Sequence, residues 1–456
     1  MMKSPKKQQQ TESVDSRSPA IDPTDVHTDT DETHSGNVHH RVPKHMRQPK
    51  YMLTPSGQTR LNSEEYDSMS FVKKPHSILT MVIAGLVVVY FAFTKDQSSD
   101  TSIKTGLLGA CGAFLLFSML QMRDGVFVRP HPAFWRVVMG MGVIYLCSLV
   151  FLLFQSADDA RKLMKHIDPK LGVPLPERSY GDNCDLYTPN DPKSSFRNLM
   201  DTINDEFIWA HFFGWWGKTV LMRDTVLCWT LSISFEILEL TFAHWLPNFH
   251  ECWWDHIILD ILVCNALGIV CGVLTIKYLK MKEYKWAGNE EKKIKKKRNI
   301  LARALKQFTP VHYEDYNWQI ASDWKRFLHY IFVVVLVSLI ELNAFFLKTL
   351  LWIPPPHIIN VQRLVLLLFI GTPALREYYQ FVSDKQTKKL GPMAWIVIAI
   401  IAVELLICVK YGGAMFWEIP FPPMVKYPWY LFLSVSVIGS VYYYGFYNRA
   451  AKKKLH

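Results

Sequence analysis

Long apolar runs alternate with short polar links over most of this chain. From Ile78 onward, the segments 78–93, 106–122, 134–154, 226–246, 257–276, 327–351, 358–375, 393–409 and 427–447 carry almost no charge. Their lengths cluster near the roughly 17–25 residues that a helix rising 1.5 Å per residue needs to cross a hydrocarbon layer about 30 Å thick. A tenth, weaker run at 207–222 is rich in aromatics and interrupted by Gly214 and Gly217. The runs show no repeat period, and the links between them are mostly too short for a soluble domain. The pattern therefore predicts an all-α polytopic membrane protein, with about ten transmembrane helices in a bundle over residues 76–448. Residues 1–75 hold few bulky aliphatics; such a stretch cannot bury enough surface to offset chain entropy and is expected to be a disordered tail. It lacks the apolar segment of a cleavable signal peptide, so the first hydrophobic span is expected to direct the chain to the membrane.

Composition changes this picture only through its distribution. The 456 residues are 50% hydrophobic and carry 51 Lys and Arg against 40 Asp and Glu, a formal charge of +11, while mean hydropathy is a bland +0.06. The Lys and Arg bias of short loops sets orientation. With the N-terminal tail cytosolic, ten crossings put Arg123/Arg129/Arg136, Lys218/Arg223, residues 292–298, Arg376/Lys385/Lys388/Lys389 and Arg449/Lys452/Lys453/Lys454 on the same side. Loop 155–206 falls on the other side, the basic linker 277–325 on the cytosolic side, and the short tail 449–456 ends there too. The basic run at 292–298 reads as a juxtamembrane segment drawn to anionic headgroups by about 1 kcal/mol per residue, and no nucleic-acid partner is expected. Cys184 and Cys252 fall in loops on the non-cytosolic side, where an oxidising lumen permits a disulfide; spacing alone does not decide whether it forms.

The informative chemistry lies between residues 205 and 265. Glu236 and Glu239 stand at i and i+3 in an otherwise apolar helix and share a face. Beyond the turn at Pro247 and Asn248, Glu251 and Asp255 stand at i and i+4. The antiparallel return brings the two carboxylate pairs together near one membrane surface. Facing carboxylates repel, intramembrane acids are costly, and a hard divalent cation resolves both. Zinc is disfavoured because no His-x-x-x-His pattern is present and His250 and His256 lack a ligand spacing. Lumenal calcium fits better, with Glu236, Glu239, Glu251 and Asp255 as ligands. Counting about 100° per residue, Asn265 lies near the Glu251/Asp255 face, whereas Asp260 points about 180° from Glu251 and is assigned a separate polar role. His211, among Trp209, Phe212, Phe213, Trp215 and Trp216, reads alone as a core or belt residue. Its depth matches that of the acids, which makes it a candidate general base beside a metal-held phosphate.

At this point the strings AHFFGWWGK (210–218), SFEILEL (234–240), LPNFHECWWDHIILDILVCN (246–265) and RPHPAFWR (129–136) resemble the eukaryotic base-exchange phosphatidylserine synthases, from about residue 71 to about residue 409. DPKLGVPLPERSYGDNC (168–184), YKWAG (284–288) and KKLGPMAW (388–395) resemble the second of the two animal types more than the first. The resemblance implies an endoplasmic reticulum enzyme that exchanges the ethanolamine of phosphatidylethanolamine for L-serine, with calcium and no nucleotide; the first animal type also accepts phosphatidylcholine. It implies that His211 is essential, that Glu236, Glu239, Asn248, Glu251, Asp255, Asp260 and Asn265 matter for activity, and that Arg129 serves product feedback. It leaves a homodimer open. Among other classes, a CDP-alcohol phosphatidyltransferase needs a spaced Asp-Gly…Ala-Arg…Gly…Asp…Asp signature that Asp124-Gly125 does not continue. A cation channel or transporter predicts matched halves with broken helices, which the chain lacks. A structural scaffold leaves the intramembrane acids unexplained.

Overall fold

A computed structural model of the protein describes residues 51–53, 59–61, 75–94, 99–127, 130–175, 181, 183–189, 194–204, 206–284, 316–384 and 386–447. Contacts divide the chain into two units, Met1–Glu65 and Tyr66–His456. In the first, the described residues are strands β1 (Tyr51–Leu53) and β2 (Thr59–Leu61), antiparallel with Tyr51 opposite Leu61. The rest of the expected tail, Arg129 and residues 285–315 lie outside the described residues.

In the second unit every apolar run is helical: α1 (Pro75–Thr94), α2 (Ser99–Gln121), α3 (Pro132–Phe154), α6 (Glu206–Met222), α7 (Thr225–Phe242), α8 (Ala266–Tyr284), α9 (Trp324–Leu350), α10 (Ile358–Ser383), α11 (Pro392–Tyr411) and α13 (Pro423–Ser440). Among the described residues, eight helical stretches are long and apolar enough to cross a membrane. Helix α6, at 17 residues, reaches about 25 Å. The loop between α3 and α6 carries two short helices, α4 (Ala157–Ile167) and α5 (Arg197–Ile203), and α12 (Gly413–Glu418) precedes α13.

Local chemistry sets several ends. Pro132 occupies the first turn of α3 and the side chain of His131 caps it by accepting from the Ala133 N–H, satisfying a donor that the first turn leaves free. Asp224 caps α7 through the Leu227 N–H at 3.0 Å. Arg223 before it has φ 53°, which turns the chain sharply between α6 and α7.

Two apolar cores result. One joins α3, α9, α10 and α11 through Val138, Leu350, Ile370 and Ile400; the other gathers Trp215, Leu227, Leu231, Ile269, Trp318, Tyr330 and Tyr378 from α6 to α10. The first core encloses charges that the sequence reading passed over. Arg363 grips Glu404 with both arms, Nε to Oε1 at 2.9 Å and Nη2 to Oε2 at 2.6 Å. The Tyr145 hydroxyl donates to the same carboxylate at 2.6 Å and Asn343 reaches it at 3.4 Å. A bidentate pair with added donors can compensate the cost of burying both ions.

Candidate active site

Helix α7 presents Glu236 and Glu239 inward, 4% and 3% exposed. Past its end the chain turns through a short 3-10 segment, Pro247–Phe249. Phe249 plugs the turn into the bundle against Phe345 and Phe235, and Asn248 lies half-buried beside it. A disulfide joins Cys184 to Cys252 with Cα atoms 5.3 Å apart, and the Trp254 indole donates to the Cys184 carbonyl at 3.1 Å. The pairing that spacing left open thus ties the α4–α5 loop to the residue after Glu251. Burial, with the Glu239 and Asp260 charges adding to it, pushes the Glu251 carboxyl up to about 9.

The return strand of the site is not an α-helix. Asp255–Asn265 is π-helical and runs without a break into α8. In a π-helix the hydrogen bond runs i→i+5 and the turn is wider, so the α-helical angles no longer hold, and such segments concentrate at functional sites. Glu251 also precedes the helix altogether. Two readings are corrected by this register. Asp260, expected to point away, is buried in the site with Oδ1 3.4 Å from His211 Nδ1. His256, set aside for want of spacing, sits at the centre: its Nδ1 lies 3.0 Å from Glu236 Oε2, 3.5 Å from Glu239 Oε2 and 3.9 Å from Glu251 Oε2. Asn265 is fully buried and its amide donates to Ser232 Oγ at 3.0 Å and Glu236 Oε1 at 3.4 Å.

Small residues bring His211 to this face. A Cβ on Gly268 would stand 2.6 Å from the Phe212 carbonyl, and one on Gly272 would stand 2.5 Å from Thr219 Cβ. This Gly-x-x-x-Gly stripe lets α6 lie directly on α8, so His211 reaches Asp260. Lys218, on the same helix as His211, pairs across to α9, its Nζ 2.6 Å from Glu341 Oε1.

Ligand-capable atoms of three sets lie within 4.8 Å of one another: His211, Glu236 and Asp260; Glu236, Glu239 and His256; Glu251, His256 and Asp260. Asp255, expected from the sequence to be a ligand, joins none of these sets among the described residues, whereas Asp260 joins two. Glu239 Oε2 and His256 Nε2 are buried without a hydrogen-bond partner. Carboxylate-rich donors with unsatisfied buried atoms suit a hard cation such as calcium. The same cluster places an imidazole, His211, 3.4 Å from the Asp260 carboxylate, an arrangement that can orient a general base.

The chain matches known proteins across this region. A family model described as phosphatidyl serine synthase matches residues 130–412. The chain is 45% identical over 378 residues to CDP-diacylglycerol–serine O-phosphatidyltransferase 2 of Oryza sativa subsp. japonica, covering 80% of this chain and 88% of that one. It is 43% identical over 360 residues to phosphatidylserine synthase 2 of Homo sapiens, covering 78% and 73%. It is 45% identical over 353 residues to CDP-diacylglycerol–serine O-phosphatidyltransferase 1 of Arabidopsis thaliana, covering 75% and 82%.

Proposed function

Because the chain belongs to the phosphatidylserine synthase family, and is therefore a membrane phosphatidyltransferase that makes phosphatidylserine, we propose that it works by calcium-dependent base exchange, replacing the ethanolamine of phosphatidylethanolamine with L-serine. The observation that carries this reading is the buried carboxylate nest of Glu236, Glu239, Glu251 and Asp260 within reach of His211. Exchange of one alcohol for another on a phosphodiester is nearly isoenergetic and needs no activated donor. Glu236, Glu239 and Glu251 would hold the cation, with Asp260 and His256 closing the nest. Bound calcium would neutralise charge on the phosphoryl oxygens.

The protein's own part is proton handling. In this scheme Asp260, with Oδ1 3.4 Å from His211 Nδ1, would keep the proton on Nδ1 and leave Nε2 as acceptor. Nε2 takes the serine hydroxyl proton as the serine Oγ–P bond forms and the P–O bond to ethanolamine breaks. The same proton then passes to the departing ethanolamine oxygen, so the site returns unchanged. The Cys184–Cys252 disulfide beside Glu251 favours an oxidising compartment, which supports an endoplasmic reticulum membrane location with the site on the lumenal side and the termini cytosolic.

The names of the plant relatives raise a second donor, CDP-diacylglycerol. Labelled serine supplied to the purified protein in phosphatidylethanolamine vesicles separates the two readings. Base exchange gives labelled phosphatidylserine in calcium buffer without nucleotide and none with a chelator. Incorporation that appears only with CDP-diacylglycerol would overturn the proposal. Near-normal exchange by His211→Ala would remove the imidazole from the scheme.

A further inference from the structure

Serine brings a carboxylate of its own toward a nest of four others. Like charges repel, so a cationic side chain within reach of His211 favours the approach of that carboxylate. On α6, His211, Trp215 and Lys218 stand at i, i+4 and i+7 and share one face. Helical side chains lean toward the N-terminus, and Lys218 does so: its Nζ lies 3.9 Å from the Trp215 ring centroid. That point is about one turn, roughly 6 Å along the axis, from His211, a gap that a small amino acid bridges. Nζ is paired with Glu341, and the two side chains keep 26% and 18% exposure, more than Glu236 and Glu239, at 4% and 3%.

We propose that the Lys218–Glu341 pair is the amino-acid acceptor site, Lys218 taking the carboxylate of serine and Glu341 its ammonium, so that the hydroxyl faces His211. The inference rests on serine being the acceptor in the exchange described above. A zwitterion matches a Lys–Glu pair charge for charge, so opening one ion pair creates two. Ethanolamine, which has an ammonium and no carboxylate, engages only Glu341. Lys218 is therefore what favours serine.

The test compares wild type, Lys218→Met and Lys218→Arg in phosphatidylethanolamine vesicles, with labelled serine and labelled ethanolamine as alternative acceptors. Lys218→Met is expected to raise KM for serine at least tenfold with a smaller change in kcat, to lower the preference for serine over ethanolamine by a similar factor, and to be rescued by Lys218→Arg. An equal loss with both acceptors, or an unchanged serine KM, overturns the proposal, because an interhelix strut or a contact to the lipid phosphate serves both reactions alike. If wild type exchanges neither acceptor without nucleotide, base exchange fails instead, and serine KM measured with CDP-diacylglycerol then tests Lys218 alone.

Discussion

Replacing Asp260 with Asn keeps the shape of the side chain and removes the charge 3.4 Å from His211 Nδ1. Two unit charges at that separation attract by about 5 kcal/mol at an effective dielectric near 20. In the transition state the imidazole has acquired part of a proton. If half the attraction is realised there, about 2.5 kcal/mol is lost, roughly 70-fold in rate. The assay is serine incorporation at saturating serine and phosphatidylethanolamine, with thermal unfolding in detergent to show that the variant is folded. A folded Asp260→Asn protein with kcat within threefold of wild type would refute the reasoning. That result is what an α-helical register, with Asp260 turned away, would give.

Three further outcomes follow from the packing. Cys184→Ser with Cys252→Ser opens a 68-residue separation, worth about 4 kcal/mol in the chain-entropy account; an unchanged Tm in the double variant would contradict it. Gly268→Val drives a methyl-bearing Cβ into the Phe212 carbonyl, 2.6 Å away, and is expected to lower exchange at least tenfold by displacing His211. Gly217→Ala, which meets nothing within 4 Å, should be nearly silent, and equal effects of the two would refute the packing argument. Arg363→Met or Glu404→Met strands a buried charge and should destabilise by about 3–5 kcal/mol, while the double change regains most of it. Denaturant unfolding reads all three proteins, and a double variant no more stable than the singles would count against the pairing.

Run length alone made the helices legible, because a membrane span must be apolar along its whole length and almost nothing else in the chain is. The shared face of Glu236 and Glu239 was legible too, since i and i+3 coincide in any α-helix. The neighbouring face was not. Whether a carbonyl bonds i+4 or i+5 is decided by packing against other helices, and Asp260 and His256 moved into the site with that choice. Arg363 and Glu404, 41 residues apart, were unreadable for a related reason: a buried ion pair is visible only when both helices are in place. Lys218 sits among aromatics and looks like a flanking charge until α9 supplies Glu341.

The π-helical stretch leaves the site dependent on a surplus residue. A single deletion within 255–265 would let the segment relax to ordinary α-helical winding while the hydrophobic length of the span hardly changed. The protein would still insert, still carry its disulfide loop, and still present most of the same residue types. Yet the side chains within the rewound segment would take new angular positions at about 100° per residue, carrying Asp260 or Asn265 off the shared face. Membrane anchoring and catalysis are thus separable at the level of one codon, and a span that looks tolerant by hydropathy is intolerant in count.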